Sequence, residues 1–269
     1  MINNKSKLCI SISSSPSSLG SFVHNYLYKK LNLNYVYFPI KISSKNSLRN
    51  IIKYIKDFNI VGCSVSMPHK KNILTFLDKI EKTAKKIGSV NTILYKKKKL
   101  IGYNTDYIAV KEILDKLNLK NKSILILGNG GMANVFKYYF KQKKILAYVI
   151  NRKISKKTKY LNYVKYSSHK IFKEKNKIII NCTPIGMSHI KKKYPIELKF
   201  LYKTDYVIDC VAKPSITPLI KYCKKKKIKF IRGIEISYYQ SIRQFRIYTD
   251  YKYKINIRQK YFSYCEKVN

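Results

Sequence analysis

The residues with the most explicit chemistry lie in SILILGNGGMA, 123–133. Gly128, Gly130 and Ala133 fall in a G-x-G-x-x-A pattern, with Asn129, Gly131 and Met132 completing the turn between a buried strand and a helix. Such a turn binds a dinucleotide. Its first glycine permits the tight bend, its second lets a pyrophosphate approach the backbone, and the small third residue lets helix and strand pack closely. The helix N-terminus adds amide donors and positive potential. The end of the next strand selects the nucleotide: an NAD site places Asp or Glu there, about 20 residues on, against the ribose hydroxyls. Here ILAYVINRK puts Asn151, Arg152 and Lys153 at that spot with no acid nearby. A guanidinium suits a 2′-phosphate and stacks on adenine. NADP is therefore the expected cofactor, with Arg152 as its phosphate clamp.

Glycine is scarce, nine in 269 residues, so its positions carry information. Eight of the nine, Gly20 excepted, stand at the edge of a strand-like run or a turn, where positive φ or close backbone approach leaves no substitute. One of these, Gly62, opens GCSVSMPHK, a strand-like run ended by Pro68, from which Lys70 emerges.

The elements that must position these residues alternate. Leu8–Ser13 reads as a strand, SSSPSS as turn and helix entry, and Ser21–Leu31 as a helix. Tyr35–Ile40 and Val61–Ser66 read as strands and Leu48–Phe58 as a helix. Ile73–Ile87 is expected to be mostly helical, and Thr92–Tyr95 with Leu100–Tyr103 to form a hairpin closed by lysines. From Tyr107 a helix leads to strand 123–127, the glycine turn, a helix, and strands over 145–150, 178–181 and 206–211. Ile234–Thr249 is a last helix before a tail. Strand–helix alternation of this kind predicts an α/β fold with parallel strands and crossover helices.

With 57 Lys+Arg against 13 Asp+Glu, the formal net charge is +44. That charge invites a nucleic-acid partner. Yet lysine, isoleucine, asparagine and tyrosine are enriched together, as A/T-rich codons dictate, and the lysines are spread over the whole chain. A solvated, over-charged surface accounts for them, and no specific nucleic-acid partner is expected. Cysteines 9, 63, 182, 210, 223 and 265 show neither CxxC pairing nor metal-ligand spacing, which points to a reducing cytoplasm and no metal. No run approaches the roughly 18 apolar residues of a membrane span. The start enters a strand pattern at once, so no signal or transit peptide is expected.

In order, SSSPSS, GCSVSMPHK, GSVNT, GYNTD, ILGNGGMA, INR, NCTPIGM, KPSITPL and GIEISYYQ resemble the signature blocks of shikimate dehydrogenases over residues 8 to about 250. The resemblance implies NADP-dependent interconversion of 3-dehydroshikimate and shikimate, in the route to aromatic amino acids. It implies a two-domain α/β fold: a substrate domain over 1–104, completed by C-terminal helices in 234–269, and an inserted Rossmann-like domain over 105–233. Lys70 and Asp106 match the family's catalytic pair. Ser13, Ser15, Ser66, Asn91, Asp106 and Gln240 match its substrate contacts, and Gly233 a cofactor contact. Reduction of a ketone by hydride puts negative charge on the carbonyl oxygen, which a lysine oriented by a carboxylate can neutralise. Ser15 doubles as a candidate helix cap.

Departures from the family pattern are Ser64 and Ser66 for Asn and Thr, Ala212 for a tyrosine, Lys213 for Asn, Asn129 and Met132 for small residues, and Ile12 for a histidine. The lost tyrosine bears on substrate binding. The rival reading within the fold is a quinate/shikimate dehydrogenase using NAD, against which the missing acid after the second nucleotide-binding strand argues. The expected partner is the small-molecule substrate, with a homodimer compatible with the sequence.

Overall fold

The computed structural model describes residues 2–151, 157–165, 175 and 177–268. Arg152 and Lys153 lie outside the described residues. Contacts divide the chain into two units, Met1–Ile108 with Tyr239–Ile257, and Ala109–Tyr238 with Arg258–Asn269. The expected boundaries ran through 104 and 233. By contacts the chain crosses a few residues later each time, and 258–269 groups with the second unit rather than the first.

The first unit is built on a sheet of β1 (Lys7–Ser13), β2 (Tyr35–Lys41), β3 (Gly62–Val65), β4 (Lys79–Ile80), β5 (Thr92–Lys96) and β6 (Lys99–Tyr103), in the order β2-β1-β3-β5-β6-β4. β1 runs parallel to β2 and β3, while β5 pairs antiparallel with both β3 and β6. The C-terminal ends of β1, β3 and β6 and the start of β5 therefore share one sheet edge. Helix α1 (Ser18–Lys30) starts three residues before the expected Ser21, because Ser17 caps it by accepting from Leu19 N–H at 3.2 Å. Ser15 is exposed and does not serve as that cap. Helix α2 (Lys45–Asp57) buries Leu48, Ile52 and Ile55 against Ile10, Val65 and Ile93 in one core.

The expected helix over Ile73–Ile87 is not formed. A 3-10 turn, Asn72–Phe76, is followed by β4 and then by α3 (Lys82–Ile87). Tertiary bonds override the local pattern here: Asp78 accepts from Leu100 N–H at 2.7 Å and Glu81 N–H donates to Gly102 O at 2.9 Å, while the Glu81 side chain caps α3 locally through Thr83 and Ala84. The hairpin does form, with Lys97 and Lys98 as its two left-handed turn residues.

In the second unit, α4 (Thr105–Leu114), which begins in the first, leads into β7 (Ser123–Leu127), α5 (Gly131–Gln142), β8 (Ala147–Asn151), β9 (Leu161–Lys165), β10 (Lys177–Asn181), β11 (Thr204–Asp209), α6 (Pro218–Lys225) and β12 (Lys229–Ile231). The described pairings in this sheet are parallel, in the order β12-β11-β10-β7-β8-β9. This is the doubly wound arrangement, with its switch point between β7 and β10. β7 and β10 are almost wholly buried, which explains their unbroken apolar runs. Strands β9 and β12 were not anticipated, being half-polar edge strands without clear alternation. Helix α7 (Gly233–Thr249) returns the chain to the first unit, and α8 (Arg258–Lys267) folds where the local pattern reads as a tail, within the span 234–269 for which the resemblance implies C-terminal helices.

Candidate active site

Lys70 leaves the end of β3 through the Met67–Pro68 turn, and its carbonyl accepts from Val90 N–H at 2.9 Å. Its Nζ lies 2.6 Å from Oδ2 of Asp106 in the first turn of α4. Asn104 caps that helix, with Oδ1 accepting from Tyr107 N–H, and its amide donates to Ser89. The Asp106 carboxylate is mostly buried, whereas Lys70 keeps a quarter of its side chain open. An amine and a carboxylate from sequence positions 36 apart thus meet at the sheet edge.

Asn91 completes this edge. Its backbone is tied to β3 and β6, Val65 N–H donating to Asn91 O and Asn91 N–H to Tyr103 O. Its side-chain Oδ1 accepts from Thr105 N–H at 2.8 Å, from the Thr105 hydroxyl at 3.1 Å and from the Thr92 hydroxyl at 2.9 Å. Its Nδ2 is buried with no protein acceptor. A buried donor without a partner is costly unless a ligand supplies the acceptor. Ser13 ends β1 and is buried. Its neighbours link to the Lys70 loop, Ser66 N–H donating to Ile12 O and Ser14 N–H to Met67 O, so the segments that carry Ser13 and the exposed Ser66 run side by side. Gln240 is half-buried on α7.

Gln244, which the sequence reading missed, stands one helical turn after Gln240 and is buried. Its Nε2 donates to Asn91 O and Thr92 Oγ1, and its Oε1 accepts from Ser64, which also contacts the Tyr37 and Tyr248 hydroxyls. Only the four-residue spacing from Gln240 could have flagged it. Ser64, noted as a departure from the family pattern, is the hub of this network. His69 is also buried, its Nε2 within 3.1 Å of the Ile42 carbonyl, which anchors the turn before Lys70.

In the second unit Gly128 adopts φ +96, and a Cβ there would lie 3.0 Å from the Thr183 methyl. Gly130 precedes α5, and a Cβ at Gly130 or Gly131 would meet nothing within 4 Å. Open space over bare helix-terminal amides fits a phosphate group. Ala133 is fully buried beneath the turn; Asn129 accepts from Lys137 at 2.5 Å, and Met132 is half-buried. Asn151 ends β8. Gly233 opens α7 where a Cβ would come within 2.3 Å of the Val211 carbonyl, so close packing alone demands glycine there. The loops after β10 and β11 are clamped by a buried carboxylate. Asp209 accepts from Asn181 at 2.9 Å, Thr217 at 2.6 Å and Val211 N–H at 3.1 Å. Burial pushes that carboxyl above its usual range, against the lowering effect of these bonds.

Residues 10–93 match the family described as shikimate dehydrogenase substrate binding domain. Over 274 residues the chain is 35% identical to a shikimate dehydrogenase (NADP(+)) of Methanococcus maripaludis, covering 97% of this chain and 98% of the relative. The chain belongs to the shikimate dehydrogenase family. It is also 35% identical to a shikimate dehydrogenase-like protein of Haemophilus influenzae, over 93% of each chain. Among solved structures it resembles a shikimate dehydrogenase in complex with NADP+, with a TM-score of 0.86 and 30% identity, over 100% of this chain and 98% of that one. Members of this family among the solved structures share the two-domain, Rossmann-like α/β fold found here. None of the described helices is long and apolar enough to cross a membrane.

Proposed function

We propose that this chain is an NADP-dependent shikimate dehydrogenase that interconverts 3-dehydroshikimate and shikimate in the cytoplasm. The 2.6 Å contact between Lys70 and Asp106 carries the reading. NADPH, when bound, supplies the hydride that a ketone carbon accepts. Lys70 donates to the carbonyl oxygen as negative charge develops there, a role for a positioned acid. Asp106 orients the Lys70 amine and shares the proton with it, and in the oxidative direction the pair takes up the hydroxyl proton. Asn91 donates its open Nδ2 to a substrate oxygen. Ser13, Ser15, Ser66 and Gln240 supply short polar contacts to the carboxylate and ring hydroxyls, each desolvated oxygen needing a partner.

Gly128, Asn129, Gly130, Gly131, Met132 and Ala133 would hold the pyrophosphate at the N-terminus of α5, and Asn151, Arg152 and Lys153 the 2′-phosphate side of the adenosine. Gly233 contributes by letting α7 begin against the Val211–Ala212 backbone. The first unit is the substrate domain and the second the nucleotide domain.

Following nicotinamide absorbance with shikimate and either NADP+ or NAD+ tests the reading. Turnover of shikimate with strong preference for NADP+, weakened by Arg152→Ala, is expected. Preference for quinate with NAD+, or no turnover of either acid, would refute it.

A further inference from the structure

Four of the six cysteines, Cys9, Cys63, Cys223 and Cys265, are buried, and Cys182 and Cys210 are half-exposed. Burial raises the thiols of the first four, Cys9 and Cys223 to about 12, which keeps them protonated and unreactive. The half-exposed two stand together: their sulfurs are 3.8 Å apart. This proximity is built in. Asn181 and Asp209 pair in register across β10 and β11, so the next residue of each strand, Cys182 and Cys210, emerges side by side. Cys210 N–H donates to Asn181 O, and the Asn181–Asp209 side-chain bond locks the register one residue earlier. Neighbouring strands about 4.8 Å apart place Cα atoms within the span a disulfide bridges.

We infer that Cys182 and Cys210 form an oxidisable dithiol, a site of reversible disulfide formation at the rim of the nucleotide-binding turn. The oxidant is a peroxide. One sulfur attacks a peroxide oxygen as its thiol proton is lost; the O–O bond breaks, a sulfenic acid forms and water leaves. The second sulfur attacks the sulfenic sulfur, the S–S bond forms, the S–O bond breaks, and its proton departs with the hydroxyl as a second water. Two electrons pass from the two sulfurs to the peroxide, and a dithiol reductant reverses the change.

The bond alters the backbone on which the glycine turn rests. The carbonyl of Cys182 and the methyl of Thr183 lie 3.4 and 3.0 Å from the position of a Cβ on Gly128, so pulling Cys182 toward Cys210 displaces the wall of that turn. Looser binding of NADPH follows; this part rests on the cofactor reading above.

The test treats the full-length protein with graded hydrogen peroxide, maps crosslinked peptides by mass spectrometry, and measures NADPH affinity by fluorescence. A Cys182–Cys210 crosslink at the lowest effective dose is expected, with a several-fold rise in the NADPH Kd that dithiothreitol reverses. Cys210→Ser and Cys182→Ser, each checked for folding by circular dichroism, should form no such crosslink and show no peroxide-dependent change in Kd. Absence of the crosslink in the native protein overturns the proposal. A crosslink with unchanged Kd, or equal peroxide loss in Cys210→Ser, overturns the link to the turn. Failure of the reduced protein to bind NADPH refutes the cofactor reading instead, while the crosslink still decides the dithiol.

Discussion

The Asn91 side-chain oxygen accepts from both the N–H and the hydroxyl of Thr105, at 2.8 and 3.1 Å, and this turns its buried Nδ2 into a donor with no protein acceptor. A chain of donors enforces that orientation. The Tyr37 hydroxyl donates to Ser64, Ser64 to Gln244 Oε1, Gln244 Nε2 to Thr92 and Thr92 to Asn91 Oδ1. Each group has one consistent role, so flipping the Asn91 amide would set several donors against each other at once.

Asn91→Ala should therefore lower kcat/KM for shikimate by roughly ten- to a hundredfold, the range expected for removing one buried hydrogen bond to a ligand. Steady-state kinetics check this. Gln244→Leu, which touches Asn91 only through its carbonyl and Thr92, should lower kcat/KM less while leaving the KM for NADP+ unchanged.

Lys70→Ala should reduce kcat on the order of a hundred- to ten-thousandfold, the usual contribution of a positioned acid or base. Asp106→Asn, which keeps a hydrogen-bonding group beside the amine but removes its charge, should also reduce kcat. Near-normal turnover in Lys70→Ala would rule out its acid–base role.

Two glycines should respond oppositely to alanine. At Gly130 the added methyl meets no protein atom, so stability should stay close to that of the parent while the KM for NADP+ rises. At Gly233 the methyl would sit 2.3 Å from the Val211 carbonyl, and unfolding should become easier by about 1–3 kcal/mol. Thermal melts and cofactor titration on both variants separate the two effects.

His24 supplies a pH dependence. It is fully buried, stacked on Tyr37 at 4.3 Å and packed beside Phe245 and Tyr248, and burial lowers its pKa from 6.5 to about 3. The unfolded chain binds a proton below 6.5 that the folded chain refuses until about 3. This stability is complete above 6.5 and is lost as the pH falls toward 3. Acidification from about pH 7 to about pH 5 should cost about 2 kcal/mol through this group. Denaturant melts of His24→Phe should lack that slope.

Much of the architecture was legible in local pattern. The buried apolar runs at 123–127 and 178–181, the glycine turn between strand and helix, and the hairpin closed by lysines all fold as read, because each rests on short-range periodicity or on a backbone requirement. The helix expected over 73–87 fails for the opposite reason. Asp78 and Glu81 find distant backbone partners at Leu100 and Gly102, and a helix-like run becomes a 3-10 turn, a strand and a short helix. Ser17 rather than Ser15 caps α1, a choice among neighbouring serines that local sequence does not make. Strands β9 and β12 and helix α8 carry too little periodicity to announce themselves.

Of the candidate site, the residue types and their order were in the sequence by itself: a lysine after a proline-ended strand, an acid opening a helix, and glycines where a phosphate needs bare backbone. Such signals are local, set by side-chain chemistry and by φ at single positions. Only the tertiary structure decided that Lys70 and Asp106 touch, that Gln244 and Ser64 govern the amide of Asn91, and that Asp209 clamps two loops. Those outcomes depend on strand order and register, which bring distant residues to one sheet edge and which no short stretch of sequence specifies.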